Sequence, residues 1–394
     1  MKIYNFDEAV VRENTDCVKY DLRKAFFGAE KVIPMWVADM DFKTPDFVLE
    51  AIKNRLNHEI LGYSIRSGDF NEAIVNWMQK RHGWTINPEW ISFSPGVVPA
   101  INMLVLAMTK PGDKIIVQPP VYFPFFYAIQ NNNRQLIENP LRLNNGRLCM
   151  DFDDLREKAA GAKMIIISHP HNPGGSVWTK EELTQLAKIA VENDLLVVSD
   201  EIHSDLVFPW RQHVPLATLS DETAQRTITC NAPSKTFNLA GLSTSYLIIP
   251  NPNLRSAYNH ILNDELHLNM GNLFGGIALK AAYKYGDEWL SQLLGYVWKN
   301  VEFVTSFCEK FMPQIKVVKP ESTYMLWLDC RETGLPANEL KDFFIGKAGV
   351  GMNEGIQFGT GGEGFMRMNV ACPTSTVENA MNQIKKAFDE NKAC

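Results

Sequence analysis

The sequence lacks the features that mark membrane, secreted and zinc-binding proteins. No stretch approaches the roughly 18 uninterrupted apolar residues of a membrane span, and the first residues form no apolar signal segment. Seven cysteines are scattered at positions 17, 149, 230, 308, 330, 372 and 394, without a Cys-x-x-Cys pair. This scatter indicates reduced thiols rather than a disulfide framework. We therefore expect a cytoplasmic protein without a bound metal.

The sequence is also poor in positive charge. The formal net charge is -6 at pH 7, the sequence pI is near 5.8, and no basic cluster stands out. This balance argues against a nucleic acid or an anionic membrane as the main partner. Apolar residues make up 45% of the chain and charged residues 21%, which is sufficient for a large buried core. The length of 394 residues predicts roughly two domains.

Apolar runs alternate with amphipathic segments over much of the chain. Strands are predicted over 114–117, 163–168, 195–200 and 227–230. Between the second and third, the segment 179–193 has apolar residues at helical spacing, and Thr179 with Glu182 forms a capping box. Apolar strands separated by such helices predict a mostly parallel sheet covered on both faces. Ligands bind such sheets at the carboxyl ends of the strands.

The last part of the chain has a different pattern. A long amphipathic stretch over 289–311 is followed by short predicted strands over 315–318, 324–328 and 365–370, and by a predicted helix over 337–347. This mixture is typical of a smaller α+β domain. We predict three parts: an N-terminal segment (1–45) packed against the small domain, a large domain (46–285) and a small C-terminal domain (286–394).

Lys235 follows a predicted strand and lies between Ser234 and Thr236 in a segment that is poor in charge. Burial in such a segment depresses the pKa of an amine and makes it a competent nucleophile for Schiff-base formation. The neighbouring hydroxyls are suited to hydrogen-bond a phosphate. A lysine in a chain with 39 basic residues is ordinarily a solvated surface residue. This segment alone therefore does not establish Lys235 as a Schiff-base lysine.

Two other polar residues follow predicted strands. Asp200 ends the strand at 195–200, where a carboxylate either keeps a pyridine nitrogen protonated or caps a helix. Asn172 lies in a turn rich in Pro and Gly, and either donates to a phenolate oxygen or simply belongs to the turn. His169 and His171 precede it, but no carboxylate or cysteine stands at metal-ligand spacing beside them.

Gly96 and Arg367 are candidates for binding anions. Gly96 lies in a turn before an apolar helix, where free N–H groups bind phosphate. The spacing of a nucleotide-binding loop is absent there. Arg367 lies in an apolar strand, where a buried guanidinium needs an anionic partner. That partner is either a substrate carboxylate held in bidentate fashion or an internal salt bridge.

In their order and spacing, these pieces resemble the fold-type I pyridoxal 5'-phosphate (PLP) enzymes of the aspartate aminotransferase superfamily, class I/II. The matching positions are 94–98, Tyr122, Asn172-Pro173, Asp200, Ser234-Lys235 and Arg367. Within the superfamily the chain is most similar to the MalY/PatB-like branch of cystathionine β-lyases and C–S lyases. The segments that carry this likeness are 34–42, Gly62-Tyr63, 200–205 and 234–242.

The resemblance implies the fold and the role of each matching residue. The implied fold is α/β: a large domain with a mostly parallel central sheet flanked by helices, plus a smaller α+β domain. The implied catalytic residues are Lys235, which holds the cofactor as a Schiff base, Asp200 and Tyr122. The implied cofactor-binding residues are Gly96, Val97, Val98, Tyr122, Asn172, Asp200, His203, Ser234, Lys235 and, from the second subunit of a homodimer, Tyr63. The implied substrate-binding residues are Arg367, Trp36 and Asn172. Many superfamily aminotransferases carry Tyr where His203 stands, so the hydrogen bond to the cofactor's 3-oxygen differs.

The implied reaction is cleavage of cystathionine or related S-substituted cysteines to a thiol (homocysteine), pyruvate and ammonia. We expect apolar residues near Trp36, Met40 and Phe42, with Tyr122 over the ring, to shape the pocket for the thioether chain. The same catalytic residues serve amino transfer between an amino acid and a 2-oxo acid, so a class I/II aminotransferase is the alternative. A PLP-binding regulator with a protein–protein role is a second alternative, which the intact Lys235 and Arg367 disfavour.

Overall fold

The computed structural model describes residues 2–392, so Met1, Ala393 and Cys394 lie outside the described part of the chain. The strands are β1 Ile33–Pro34, β2 Ile91–Ser94, β3 Lys114–Val117, β4 Gln135–Glu138, β5 Arg142–Asn144, β6 Arg147–Cys149, β7 Ala162–Ser168, β8 Leu196–Asp200, β9 Thr227–Asn231, β10 Ser245–Ile248, β11 Lys316–Val317, β12 Met325–Asp329, β13 Val350–Gly351, β14 Asn353–Glu354 and β15 Phe365–Asn369. The helices are α1 Val18–Asp21, α2 Arg23–Phe27, α3 Asp46–Leu56, α4 Gly68–His82, α5 Val97–Met108, α6 Pro124–Gln130, α7 Phe152–Ala159, α8 Lys180–Glu192, α9 Asp221–Arg226, α10 Pro233–Thr236, α11 Pro252–His260, α12 Leu273–Tyr285, α13 Asp287–Phe311, α14 Leu340–Asp342 and α15 Thr374–Lys392.

A seven-stranded sheet forms the centre of the molecule, in the order β2-β10-β9-β8-β7-β3-β4. All neighbouring pairs are parallel except those that β10 makes with β2 and β9. The predicted class, a mostly parallel sheet flanked by helices, is confirmed. The four predicted strands coincide with β3, β7, β8 and β9 to within one residue at each end.

Both faces of this sheet are buried because side chains alternate along each strand. On β7, Met164 and Ile166 belong to the apolar cluster that contains α5, α6 and α11. Ile165 and Ile167 belong to the opposite cluster, which contains α7 and α8. A strand that is covered on both sides has to be apolar throughout, which explains why these strands read as continuous apolar runs. Helix α8 begins as predicted, with Thr179 and Glu182 in a capping box.

The C-terminal part contains a second, antiparallel sheet of four strands, in the order β11-β12-β15-β14. The long helices α13 and α15 pack against each other beside it. The helical segment predicted over 337–347 is confirmed in position, but it is not one continuous α-helix. The structure has a 3-10 turn at Ala337–Glu339, α14 and then a π-helical turn at Phe343–Lys347.

The N-terminal segment contacts the C-terminal part. Strand β1 pairs in parallel with β13, with Ile33 opposite Val350. The Tyr4 N–H donates to the side chain of Gln292 in α13. One apolar cluster nevertheless extends from Trp77 and Tyr246 across to Val304, on both sides of residue 286. The domain boundaries at 45 and 285 therefore stay a prediction.

Candidate active site

Three neighbouring strands bring the predicted polar residues together. Strands β7, β8 and β9 are adjacent and parallel, with Ser168 opposite Asp200 and Asp200 opposite Cys230. Asp200 ends β8, Asn172 lies in the turn after β7, and Lys235 lies in the short helix α10 that follows β9. The carboxyl ends of parallel neighbours meet at one edge of a sheet, so these side chains face one cavity.

That cavity contains most of the residues that the sequence singles out. The predicted residues that line it are Gly96, Val97, Val98, Tyr122, Asn172, Asp200, His203, Ser234 and Lys235. The sequence reasoning missed the rest of its lining, which includes Ala38, Ser168 and the hydroxyl residues Ser243, Thr244 and Ser245. Pocket-lining hydroxyls leave no distinct pattern in a single sequence, because Ser and Thr are common in turns.

Lys235 lies at the floor of the cavity and is partly accessible from it. Its Nζ donates to the carbonyl oxygen of Ala38 at 2.8 Å and makes no ion pair with the described residues. Loss of hydration, together with the nearby positive charge of Arg367, lowers the pKa of the Lys235 amine to about 8. Roughly a tenth of the amine is therefore neutral at pH 7, as a nucleophile or base has to be.

Asp200 is buried beside this amine. Its Oδ1 accepts from the N–H of Ile202 at 3.2 Å, and no ion pair with the described residues reaches it. Burial raises the pKa of its carboxyl to about 7, an effect that the Ile202 N–H and the Lys235 charge only partly oppose. A buried carboxyl group without an ion pair can bind a ligand group that carries a proton or a positive charge.

Arg367, in β15, does not itself line the cavity, but it contacts Asn172, which does. Its Nη1 donates to Oδ1 of Asn172 at 3.0 Å, and its Nη2 donates to the Trp36 carbonyl and to Oδ1 of Asn353 at 2.9 and 2.7 Å. Its Nε has no partner among the described residues, and all of these acceptors are neutral. The internal salt bridge considered as an alternative is therefore not present in the described chain. Burial lowers the pKa of this guanidinium to about 10, which reflects the cost of leaving it without an anion.

His203 also has an unsatisfied atom at this site. Its side chain is buried, and its Nδ1 has no hydrogen-bond partner among residues 2–392. Burial, with the positive charges of Lys235 and Arg367, lowers the pKa of the imidazole to about 3. The ring is therefore neutral at physiological pH, and its unpaired nitrogen is available to a ligand.

The far end of the cavity is suited to an anion. Helix α5 starts at Val97, so the first N–H groups of a 12-residue helix point to this end. Gly96 precedes it, and a Cβ at this position would lie 3.2 Å from the ring of Pro99. Ser234 and Thr244 also line the cavity. Amides and hydroxyls of this kind bind phosphate.

Besides Arg367, two predicted residues lie outside the cavity lining. The indole of Trp36 donates to the carbonyl of Lys19 at 3.0 Å and packs on Phe26 and Phe27, and its carbonyl accepts from Arg367. Its role in substrate binding stays a prediction. Tyr63 is fully exposed on the surface of the single chain.

The thioether pocket stays a prediction: Ala38 and Tyr122 line the cavity, but Met40 and Phe42 do not. Met40 and Phe42 are buried in the main apolar cluster. The Phe42 ring packs edge-on against Phe6 and Tyr296 and does not line the cavity. A conspicuous aromatic motif indicates packing as readily as binding, because both require large apolar side chains.

A family model described as "Aminotransferase class I and II" matches residues 30–384 of the chain. The chain belongs to this family. Among curated members, cystathionine beta-lyase PatB of Bacillus subtilis is 43% identical over 98% of this chain and 100% of its own length. Protein MalY of Escherichia coli is 30% identical over 96% of this chain and 97% of its own length. The predicted branch is thereby confirmed.

Solved structures of the family superpose closely on the chain. Cystalysin from Treponema denticola, which contains a pyridoxal 5'-phosphate cofactor, is 36% identical with a TM-score of 0.96, covering 99% of this chain and 100% of that one. The PLP-bound C-S lyase from Staphylococcus hominis, complexed with the inhibitor L-cycloserine, is 35% identical with a TM-score of 0.92 over 98% of each chain.

The donors and acceptors of the cavity fit PLP. The Lys235 amine suits the aldehyde of PLP, and the Asp200 carboxyl group suits its ring nitrogen. The unpaired nitrogen of His203 suits the 3-oxygen, and the amides at the start of α5 suit the phosphate.

Within the described residues, no group of three His, Cys, Asp or Glu side chains is placed to hold a metal ion. None of the described helices combines the length and the apolar character needed to cross a membrane.

Proposed function

We propose that this protein is a PLP-dependent carbon–sulfur β-lyase that cleaves cystathionine or related S-substituted cysteines to a thiol, pyruvate and ammonia. With cystathionine the thiol is homocysteine. The observation that carries the lyase is the 43% identity to a cystathionine beta-lyase along its entire length. Two curated family members named as aminotransferases, from Thermococcus litoralis and Pyrococcus abyssi, are less similar, with 26% and 27% identity.

Each part of the cofactor has a group in the cavity that would hold it. Lys235 would bind its aldehyde carbon, and Asp200 its ring nitrogen. Tyr122 would lie against the ring. Asn172 and His203 would contact the 3-oxygen. The amides at Gly96, Val97 and Val98, with the Ser234 hydroxyl, would hold the phosphate.

When bound, the cofactor supplies an electron sink for the charge left on the substrate's Cα. Arg367 binds the substrate carboxylate, because its guanidinium is buried without an anion. Once the substrate's amine has taken its place on the cofactor's aldehyde carbon, Lys235 is a free amine and would remove the Cα proton, since its lowered pKa leaves it neutral in part. Asp200 would keep the cofactor's ring nitrogen protonated while negative charge develops on the substrate's Cα. A thiolate on Cβ then leaves with the electron pair of the C–S bond.

We also propose that the enzyme is a homodimer in which Tyr63 serves the cavity of the other subunit. Tyr63 is 100% exposed, and its neighbours Ile60, Leu61 and Ile65 are exposed apolar residues. Ile65 lines a surface cleft together with Met270, which extends the apolar area. Apolar surface of this extent ordinarily marks an interface.

We further propose a cytoplasmic location. The six described cysteines are free thiols, which supports a reducing compartment.

Purified enzyme given L-cystathionine tests the reaction. We expect release of free thiol and pyruvate without any added keto acid, measured with a thiol reagent and a coupled pyruvate assay. Adding a 2-oxo acid should not accelerate thiol release. Brisk amino transfer to that 2-oxo acid without thiol release would establish the aminotransferase instead.

The control is Lys235→Ala, which removes both the Schiff-base amine and the Cα base. It should lose the imine absorbance of the purified enzyme and nearly all turnover. A variant that keeps this absorbance would place the cofactor lysine elsewhere in the chain.

A further inference from the structure

Two side chains donate to the same carbonyl oxygen in the cavity. The Lys235 Nζ donates to the Ala38 oxygen at 2.8 Å, and the hydroxyl of Tyr324 donates to it at 3.1 Å. A carbonyl oxygen has two lone pairs, so these two donors fill its capacity. Tyr324 is 1% exposed, and its ring lies edge-on to that of His203 at 6.4 Å. The sequence offered no reason to single out either Ala38 or Tyr324.

The Ala38 carbonyl is held in a fixed direction. The Nδ2 of Asn369 donates to the carbonyls on both sides of it, those of Val37 and Asp39, at 2.6 Å each. The side chain of Asn238, three residues after Lys235, bonds both the N–H and the carbonyl of Met40. The loop of Lys235 and the Ala38 segment are therefore tied together, and the acceptor cannot turn away from the amine.

Tyr324 is equally constrained by its own backbone. Its carbonyl accepts from the N–H of Val370, and the preceding Thr323 N–H donates to the Leu206 carbonyl at 2.7 Å. Thr323 has a φ of 66°, a left-handed conformation that β-branched residues avoid. Such a conformation persists only where the surroundings enforce it, and it occurs preferentially at functional sites. Here it directs the Tyr324 side chain to the Ala38 oxygen.

We propose that Tyr324 is a positioning residue for Lys235: its hydroxyl occupies one lone pair of the Ala38 carbonyl, which fixes where the free amine rests and weakens its hold on a proton. A carbonyl oxygen stabilises an ammonium more than a neutral amine, since the charged donor makes the stronger bond. Sharing that oxygen with a second donor reduces this preference. This inference rests on the proposed function, in which Lys235 is the reacting amine.

The other charged and titratable groups around the amine come from four parts of the chain. They are Asp39 in the N-terminal segment, Asp200 at the end of β8, His203 in the following turn and Arg367 in β15. Phe in place of Tyr324 leaves all of them in place and keeps the shape of the ring. The change therefore isolates the hydroxyl.

The test measures the proton affinity of Lys235 directly. Tyr324→Phe and wild-type full-length chains, freed of cofactor, are labelled with a trace amine reagent over a range of pH, and labelling at Lys235 is read by peptide mass spectrometry. We expect the midpoint for Lys235 to rise in Tyr324→Phe by about half a unit to one unit, the size of the net effect of one hydrogen bond. Site-specific 3-fluorotyrosine at position 324, a stronger donor of the same shape, should lower the midpoint.

The matched control is Tyr283→Phe. Tyr283 is also a buried tyrosine, and its hydroxyl bonds that of Tyr246 at 3.0 Å, away from Ala38. It should leave the Lys235 midpoint unchanged. An unchanged midpoint in Tyr324→Phe, an equal shift in both Phe variants, or a rise with 3-fluorotyrosine would overturn the positioning role.

Protection by PLP separates this inference from the function on which it rests. If PLP blocks labelling of Lys235 while Tyr324→Phe leaves the midpoint unchanged, the positioning role fails alone. If PLP does not block labelling in the wild-type protein, the proposed function fails.

Discussion

At the scale of single residues, the cavity holds charges that the chain itself leaves unpaired. Asp200, Lys235 and Arg367 each make hydrogen bonds, but none of them has an ion-pair partner among residues 2–392. Buried charges are normally paired, because transfer from water costs several kcal/mol per ion. Two of these groups line one cavity and the third contacts Asn172 in its wall, an arrangement that indicates a binding site for a charged ligand. Substitutions there should alter ligand binding and chemistry more than folding.

Asp200→Asn should leave the cofactor bound but slow the reaction greatly. A neutral amide cannot stabilise a protonated ring nitrogen, so the electron sink is weakened. The measurement is single-turnover Cα proton exchange on a substrate in heavy water, with cofactor content determined by absorbance. Full occupancy with an unimpaired exchange rate would refute the assigned role of Asp200.

Arg367→Ala should weaken substrate binding by about 2–5 kcal/mol, because it removes the charged partner of a buried carboxylate. Titration of cofactor absorbance with L-cycloserine or a substrate measures this affinity. The matched control is Arg134→Ala, since Arg134 is a buried arginine whose donors go to Thr109 and to main-chain carbonyls. If the Arg367 and Arg134 variants bind substrate with equal affinity, Arg367 has only a structural role.

The residues that the sequence identified are those whose chemistry is unusual for their position. A lysine, an aspartate and an arginine in apolar segments stand out because such segments rarely carry charge. Ala38 could not be found in this way, since it acts through its main-chain oxygen, and every residue has one. Trp36 stood out for its size, yet it serves packing.

At the scale of elements, the strands with the strongest signal were the central ones. Strands β3, β7, β8 and β9 are flanked by sheet neighbours and helices, so their sequences are uniformly apolar. Strands β2 and β4 lie at the two edges of the sheet, and β4 carries Gln135 and Glu138, which obscure its pattern. The break of 337–347 into three turns was hidden because helical spacing does not distinguish α from π turns.

The buried His169, which directly follows β7, should make the stability of the protein depend on pH. His169 is fully buried there, its Nε2 bonds the Val214 carbonyl, and burial with the nearby His213 lowers its pKa to about 3 from 6.5. Between pH 6.5 and about 3, His169 is protonated in the unfolded chain and neutral in the folded chain. This group therefore lowers the free energy of unfolding as the pH falls from 6.5 towards 3.

His169→Gln removes this titration and keeps an amide donor for Val214. Between pH 6 and 4, the free energy of unfolding should fall less steeply than in the wild type, by up to about 1.4 kcal/mol per pH unit. Urea unfolding at each pH measures the two slopes. Opposite contributions from groups such as Asp200 are common to both proteins and cancel in the difference. Parallel slopes would show that His169 is not the titrating group.

At the scale of the whole molecule, the position of Tyr63 predicts complementation between subunits. Lys235→Ala and Tyr63→Phe chains, each inactive alone, should recover activity when their subunits exchange. One cavity of the mixed dimer carries neither change, so random exchange should restore about a quarter of the wild-type sites. Thiol release from cystathionine after co-refolding is the measurement.

The control mixture is Lys235→Ala with Asp200→Asn. Both residues line the cavity of one chain, so every site of this mixed dimer carries a lesion. Recovery in this mixture, or none in the Tyr63 mixture despite demonstrated exchange and inactive parents, would contradict a shared site.

The site also brings together residues that are far apart in the sequence. Ala38 supplies the acceptor for an amine that lies 197 positions later, and the carbonyl of Trp36 meets the guanidinium of Arg367, 331 positions later. During synthesis the ribosome therefore releases the lysine loop long before the arginine strand that faces it. A growing chain can complete the central sheet and still be unable to assemble the substrate site. Catalytic competence is thus acquired only after Arg367 has been synthesised, and chains truncated before it should be inert towards amino acids.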